Sequence, residues 1–158
     1  NKCLDVLESD LVSDSDKSFY LKLLVHFVGD LHQPLHLGRY EDRGANRISV
    51  KWFGRNSNLH RVWDSEMING HNMSYSELAL NLPNTDFLVF TKESKNFERS
   101  DILDWINEIH KYTNQIYEGV SNDDKLGYNY QYENFDTTKE LLLIAGIRLA
   151  KILNYLFD

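Results

Sequence analysis

The sequence predicts an all-α fold with a small β-hairpin insertion. Three observations carry that prediction. Apolar residues recur at helical spacing through most of the chain. One short run breaks the pattern: Ile48, Val50 and Trp52 alternate with Ser49, Lys51 and Phe53, in a segment holding three of the eight glycines. The lone cysteine, Cys3, excludes an internal disulfide framework, so the fold must rest on a packed core.

Taken in order, Lys2 to Leu11 shows a short amphipathic pattern through Cys3, Leu4, Val6, Leu7 and Leu11. The polar run Ser13 to Ser18 supplies a helix start. The helix that follows is expected to reach about Gln33, because the residue before Pro34 is biased away from helix. It is apolar on almost every side between Leu21 and Leu31, the pattern of a buried helix. Lys22, His26 and Asp30 form a polar stripe along it. Gly29 inside it costs about 1 kcal/mol relative to alanine, as a close approach of another group would explain.

After the hairpin, Ser57 or Asn58 can cap a helix that ends near Asn69–Gly70. Ser74 with Glu77 has the spacing of a capping box, and Pro83 stops that helix. Asn84 to Arg99 has no clear period and reads as loop. Ser100 caps a long helix with Ile102, Trp105, Ile106, Ile109 and Ile116 on one side, closed by Gly119. Ser121 to Asn134 reads as a polar, tyrosine-rich loop. Asp136 or Thr137 opens the last helix, with Leu142, Ala145, Leu149, Ile152, Leu153 and Leu156 toward the core.

The 158 residues suit one domain, 1–158. No apolar run reaches the length of a membrane span. The net charge is −7 and no basic cluster stands out, which argues against gripping long nucleic acid by neutralising many phosphates and predicts a weak salt dependence. Local phosphate chemistry at bound cations is not excluded by the total charge.

Two pairs carry the chemistry. His26 and Asp30 are four apart, and so are His60 and Asp64. On a helix such residues lie one turn above each other on one face. Each pair offers an imidazole and a carboxylate to one point, and His36 stands between the pairs just past Pro34. A single histidine on an apolar face is more often a hydrogen-bonded core residue. Five such residues at this spacing point to a multinuclear metal site. Nitrogen and oxygen donors without sulfur suit zinc, with iron or manganese as rivals.

Other residues carry two readings each. His32 is read as a cap or an indirect support of the site, and Lys22 as a phosphate contact or a solvated stem. Trp52 and Phe53 suit core packing ahead of base stacking. His71 and His110 read as surface residues. Asn46, in the turn Gly44-Ala45-Asn46, is a turn residue or a substrate contact.

H-F-V-G-D-L-H-Q-P-L-H from His26 to His36, D-R-G-A-N from Asp42 to Asn46, and N-L-H-R-V-W-D from Asn58 to Asp64 resemble one family. It is the zinc-dependent, single-strand-specific nucleases of the nuclease S-one/P-one type. That family shares a multi-helix fold with bacterial phospholipase C. The run Ala145 to Asn154 resembles the family's last helix.

The resemblance implies up to three zinc ions. His26 and Asp30 would serve a close pair, with Asp30 bridging, and His36, His60 and Asp64 would hold the third zinc. Asn46 would lie at the rim of the substrate cleft. The implied activity is hydrolysis of single-stranded DNA or RNA and of 3′-phosphates of nucleotides, by a secreted or periplasmic enzyme. Family members begin with a zinc-binding tryptophan, followed by a histidine, an aspartate and a further histidine. Residues 1–25 contain no histidine. The chain is therefore expected to be the C-terminal part of the domain, lacking its N-terminal segment. Ala45 stands where the family usually has a second glycine. A phospholipase C using the same metals and a non-catalytic metal-binding domain are the rival readings.

Overall fold

The structure is a computed structural model and describes residues 2–82 and 96–158. Helix α1 spans Lys2–Leu7 and α2 spans Asp14–Leu31. A 3-10 turn, Pro34–Leu37, leads through a loop to the hairpin strands β1, Ser49–Trp52, and β2, Arg55–Asn58. Next come α3, Leu59–Arg61, a π turn at Val62–Glu66, α4, Met67–Gly70, and α5, Tyr75–Leu80. Beyond residue 95 lie α6, Asp101–Gly119, the strand β3, Asp124–Leu126, and α7, Tyr128–Phe157.

Most boundaries follow the side-chain chemistry. The Ser13 hydroxyl accepts from the Asp16 amide and starts α2. The Asn58 side chain accepts from the Arg61 amide at 2.8 Å and starts α3. Ser74 and Glu77 close the reciprocal capping box of α5. Ser100 makes no side-chain cap bond to α6; there the Asp101 carboxylate accepts from the Glu98 amide instead. The loop expectation for 84–95, with Pro83, falls outside the described residues.

Two apolar clusters form the core. One gathers Leu4, Leu24, Val28, Trp105 and Ile152 from α1, α2, α6 and α7. The other gathers Leu35, Leu59, Trp63, Ile116 and Phe135 with the inner face of the hairpin. Helices α6 and α7 contribute to both clusters and so tie them together. Fully burying one such side chain contributes roughly 1.5–3 kcal/mol.

Besides the close approach expected at Gly29, where an added methyl would meet nothing within 4 Å among the described residues, four expectations need correction. The segment 121–134 is not loop: β3 pairs parallel to β1, and α7 begins at Tyr128. The polar run has little helix propensity, but Tyr130 packs on the core and its hydroxyl accepts from the Trp63 indole at 2.8 Å. Tertiary packing overrides propensity there. Burial pushes the Tyr130 phenol up to about 12, so it stays protonated in that contact.

The last helix buries a neighbouring face, through Leu141, Ile144, Arg148 and Ile152, while Leu142 is exposed. Its register is set by Arg148, which the apolar pattern skipped. Arg148 is 1% exposed, donates to Glu108 at 2.6 Å, and lies 3.0 Å from the His32 ring.

The third correction concerns α2. Only Leu24 and Val28 of this helix are buried; Phe19, Val25 and Phe27 are exposed. The described elements cover one side of the helix and leave the other open. The fourth concerns Phe53, which is exposed while Trp52 is buried. Phe53 and Gly54 both take positive φ, 48° and 80°, as a two-residue hairpin turn requires.

Arg148→Ala should lower the unfolding free energy by about 3 kcal/mol, because it removes the buried guanidinium's ion pair with Glu108 and leaves a void against Trp105. Urea unfolding followed by tryptophan fluorescence reads this directly. A loss below about 1 kcal/mol would mean that the pair behaves as a surface ion pair.

Candidate metal centre

The cluster forms where α2, the 3-10 turn and the π turn meet. Thr113 on α6 fastens the 3-10 turn by donating to the Pro34 carbonyl at 2.7 Å, in a buried position. That contact holds the turn that carries His36 against the C-terminal half of α6. The π turn carries Asp64. Its i→i+5 bonding gives a wider turn than an α-helix, and such turns recur at functional sites. His60 and Asp64 thus share a face, as their spacing predicts, although the segment joining them is not the regular α-helix that spacing implies.

Among the described residues, donor atoms of His36, His60 and Asp64 all lie within 4.8 Å of one another. Two donors at about 2.1 Å from one zinc stand at most about 4.2 Å apart, so small side-chain rotations close the set on an ion. The His36 and His60 rings stack with centroids 5.2 Å apart. His36 Nε2 lies 3.3 Å from an Asp64 oxygen, and His36 Nδ1 lies 3.6 Å from Asp30 Oδ1. The other oxygen of Asp30 faces His26 Nε2 at 3.2 Å. The array His26–Asp30–His36–Asp64 is therefore continuous, with Asp30 between its two halves.

The donor chemistry fits a divalent metal. His60 Nδ1 is 2.8 Å from the Gly44 carbonyl, which can only accept, so Nδ1 carries the proton and Nε2 keeps its lone pair. That carbonyl is in place because residues 38–47 press onto the 3-10 turn. A methyl group on Gly44 would stand 2.3 Å from the Leu35 carbonyl oxygen, and one on Gly38 would stand 2.6 Å from Gly44 Cα. Gly44 also has φ of 64°. Ala45 takes φ of 63°, a conformation that costs a non-glycine residue about 1 kcal/mol.

The loop has one further anchor. Asp42 accepts from the Tyr117 hydroxyl at 2.8 Å and from the Ala45 amide at 2.7 Å. Burial pushes the Tyr117 phenol up from its ordinary value, which keeps it a donor to Asp42.

The remaining candidates fall as follows. His26 is 65% exposed and Asp30 40% exposed, in contrast to the buried stripe expected on α2. Asn46 is exposed, and its amide donates to the Arg43 carbonyl at 2.9 Å, so it stabilises the turn. His32 caps α2, with Nδ1 2.7 Å from the Val28 carbonyl, and points into the core away from the cluster. Lys22 is exposed. The sequence reading found no basic cluster, yet Arg39, Arg43 and Arg47 line the cleft that holds Asp30, His36 and His60. Their spacing of four was visible in the sequence, but it lies in a loop where that spacing has no fixed meaning.

A helical frame with an open His/Asp centre at its surface defines the class: a helical domain equipped for a divalent metal. The chain belongs to the S1/P1 nuclease family, whose model matches residues 1–158. It is 31% identical over 156 residues to Endonuclease 1 of Arabidopsis thaliana, covering 87% of this chain and 49% of that protein. Endonuclease 4 of the same plant is 30% identical, covering 95% of this chain and 54% of its own length. Nuclease S1 of Aspergillus oryzae (strain ATCC 42149 / RIB 40) is 30% identical, covering 82% of this chain and 51% of its own. The chain thus spans about half the length of the curated relatives it matches.

Gly44→Ala changes no candidate ligand but displaces the carbonyl that holds His60. It should weaken metal affinity about 10–100-fold in a calorimetric titration with zinc. Unchanged affinity would mean that the Gly44 carbonyl does not orient the ligand.

Proposed function

We propose that this chain carries about half of a zinc-dependent phosphodiesterase that cleaves single-stranded DNA or RNA internally and removes 3′-phosphates from nucleotides. The observation that supports it most is the continuous His/Asp array with His60 beside it, in a chain of the S1/P1 nuclease family.

In this reading His36, His60 and Asp64 hold one zinc. His26 and Asp30 would supply two donors to a paired site, with Asp30 in the bridging role that the resemblance implies; its two oxygens face His26 and His36. A full set of three zincs draws on donors beyond these five residues, which the N-terminal segment of the family domain would supply. Bound zinc supplies positive charge to the phosphate and stabilises the departing oxygen. His60 presents Nε2 because its other nitrogen is bonded to Gly44. Asn46 acts on substrate indirectly, by holding the turn at Arg43.

The cleft favours unpaired strands. Phe27 and Tyr40 line it and are 52% and 94% exposed, which suits stacking of bases that no partner strand covers. The same exposed Phe27, with Val25 beside it on α2, supports the second reading, a phospholipase C that meets its lipid through an apolar rim. Family membership favours the nuclease. No described helix is long and apolar enough to cross a membrane. The resemblance alone carries the proposal that the enzyme is secreted or periplasmic.

The intact protein with zinc should cleave single-stranded DNA faster than duplex DNA and leave phosphatidylcholine untouched, and His60→Ala should abolish turnover. Cleavage of the lipid alone would replace the nuclease reading, and zinc binding without turnover on any of the three would favour a non-catalytic domain. The 158-residue chain by itself should bind one zinc tightly and turn over poorly. Metal analysis finding three tightly held zincs on that chain would contradict the ligand assignment.

A further inference from the structure

The cleft beside the cluster is large, about 1120 Å³, and its two walls differ in chemistry. Asp30, His36 and His60 contribute one part of its lining, the His/Asp wall, and Arg39, Arg43 and Arg47 contribute another, the arginine wall. The chain has 24 acidic and 17 basic residues, so three guanidiniums within nine residues on one cleft run against its overall balance. Among the described residues, none of the three forms an ion pair with a carboxylate. Asp42, the acid nearest in sequence, is engaged by Tyr117 and Ala45 instead. Glu41 also lines the cleft but pairs with none of them through its carboxylate; its backbone carbonyl accepts from Arg47 Nη1 at 2.8 Å.

The guanidiniums of Arg39 and Arg47 are held by contacts, and Arg43 is fixed through its backbone. The Arg39 guanidinium lies 4.2 Å from the Tyr117 ring centroid, a cation–π contact that leaves its N–H fork available. Arg43 sits at φ of 56°, a strained position fixed by the Asn46 amide on its carbonyl. The contacts of Gly38 and Gly44 with the 3-10 turn fix the loop as a whole against the His/Asp wall.

A guanidinium fork matches phosphate oxygens and remains charged at any pH the protein meets. A mononucleotide 3′-phosphate or a single lipid headgroup presents too few phosphates for both walls. A polynucleotide presents one at the metal wall and its neighbours along the chain. We propose that Arg39, Arg43 and Arg47 are positioning residues for the phosphates that flank the scissile one on a bound strand. The proposal rests on the nuclease reading of the same site, but its test does not depend on turnover.

The test measures binding of a fluorescein-labelled oligothymidylate of about 12 nucleotides to the intact protein in EDTA, where no metal-dependent cleavage occurs. Three phosphate contacts on a single strand predict a log–log salt slope of about −2, an affinity loss of about 20-fold between about 50 and 200 mM salt. The triple variant R39Q/R43Q/R47Q should bind weakly with a nearly flat salt response, and R39K/R43K/R47K should restore most of the slope. Thymidine 3′-phosphate, competing for the same cleft, should lose at most about threefold in affinity in the glutamine variant, since it has no flanking phosphates. Urea unfolding of each variant checks that it folds. A folded glutamine variant with the wild-type slope would overturn the proposal, as would equal losses for mononucleotide and oligonucleotide. Failure of the nuclease reading shows separately, as normal strand binding with no cleavage when zinc is restored.

Discussion

The bond from His60 to the Gly44 carbonyl is the constraint on which the centre depends. It joins a ligand candidate on α3 to a loop that starts 22 residues earlier, and it forms only if that loop lies flat on the 3-10 turn. Two glycines allow the approach, because any side chain at Gly44 would collide with the Leu35 carbonyl. Two hydrogen bonds from α6 then hold the two layers, Thr113 to Pro34 and Tyr117 to Asp42. One helix thereby positions His36 from below and the arginine-bearing loop from the side. The metal wall and the cationic wall of the cleft share a single support.

How far the sequence revealed this depends on the kind of information each residue carries. The proximity of His26 to Asp30 was legible because spacing of four on a helix fixes a common face, whereas His60 and Asp64 come together across a π turn that spacing alone does not show. Ser13, Asn58 and the Ser74–Glu77 pair were legible because a cap is a local contract between a side chain and a nearby amide. Arg148 was not legible. An arginine in an amphipathic pattern reads as surface, and its partners Glu108 and His32 lie 40 and 116 residues away. Residues 128–134 were misread for the same reason: what makes them helical is packing of Tyr130 against Trp63, which no local pattern shows. The arginine wall was hidden because its geometry is that of a loop, where only the fold decides which side chains meet.

The two halves of the His/Asp array have different surroundings. His36, His60 and Asp64 have a complete frame of hydrogen-bonded loop, 3-10 turn and π turn within this chain. His26 stands on the side of α2 where Val25 and Phe27 are also exposed. The exposed apolar side chains beside His26 and Asp30 distinguish that half of the array from the framed half.

The π turn at Val62–Glu66 has a consequence for how this segment tolerates change in length. A π turn holds one residue more than the α-helical turn it replaces. Deleting one residue within it would let the segment close into continuous α-helix between α3 and α4, with no loss of backbone bonding and with the side chains beyond it still in phase, because the turn absorbs its extra residue. A deletion between His60 and Asp64 would nevertheless leave them three apart on an α-helix rather than four apart across a wider turn, and so change how the two side chains meet. The length of this segment, as well as the identity of its residues, therefore sets how the candidate carboxylate meets His60.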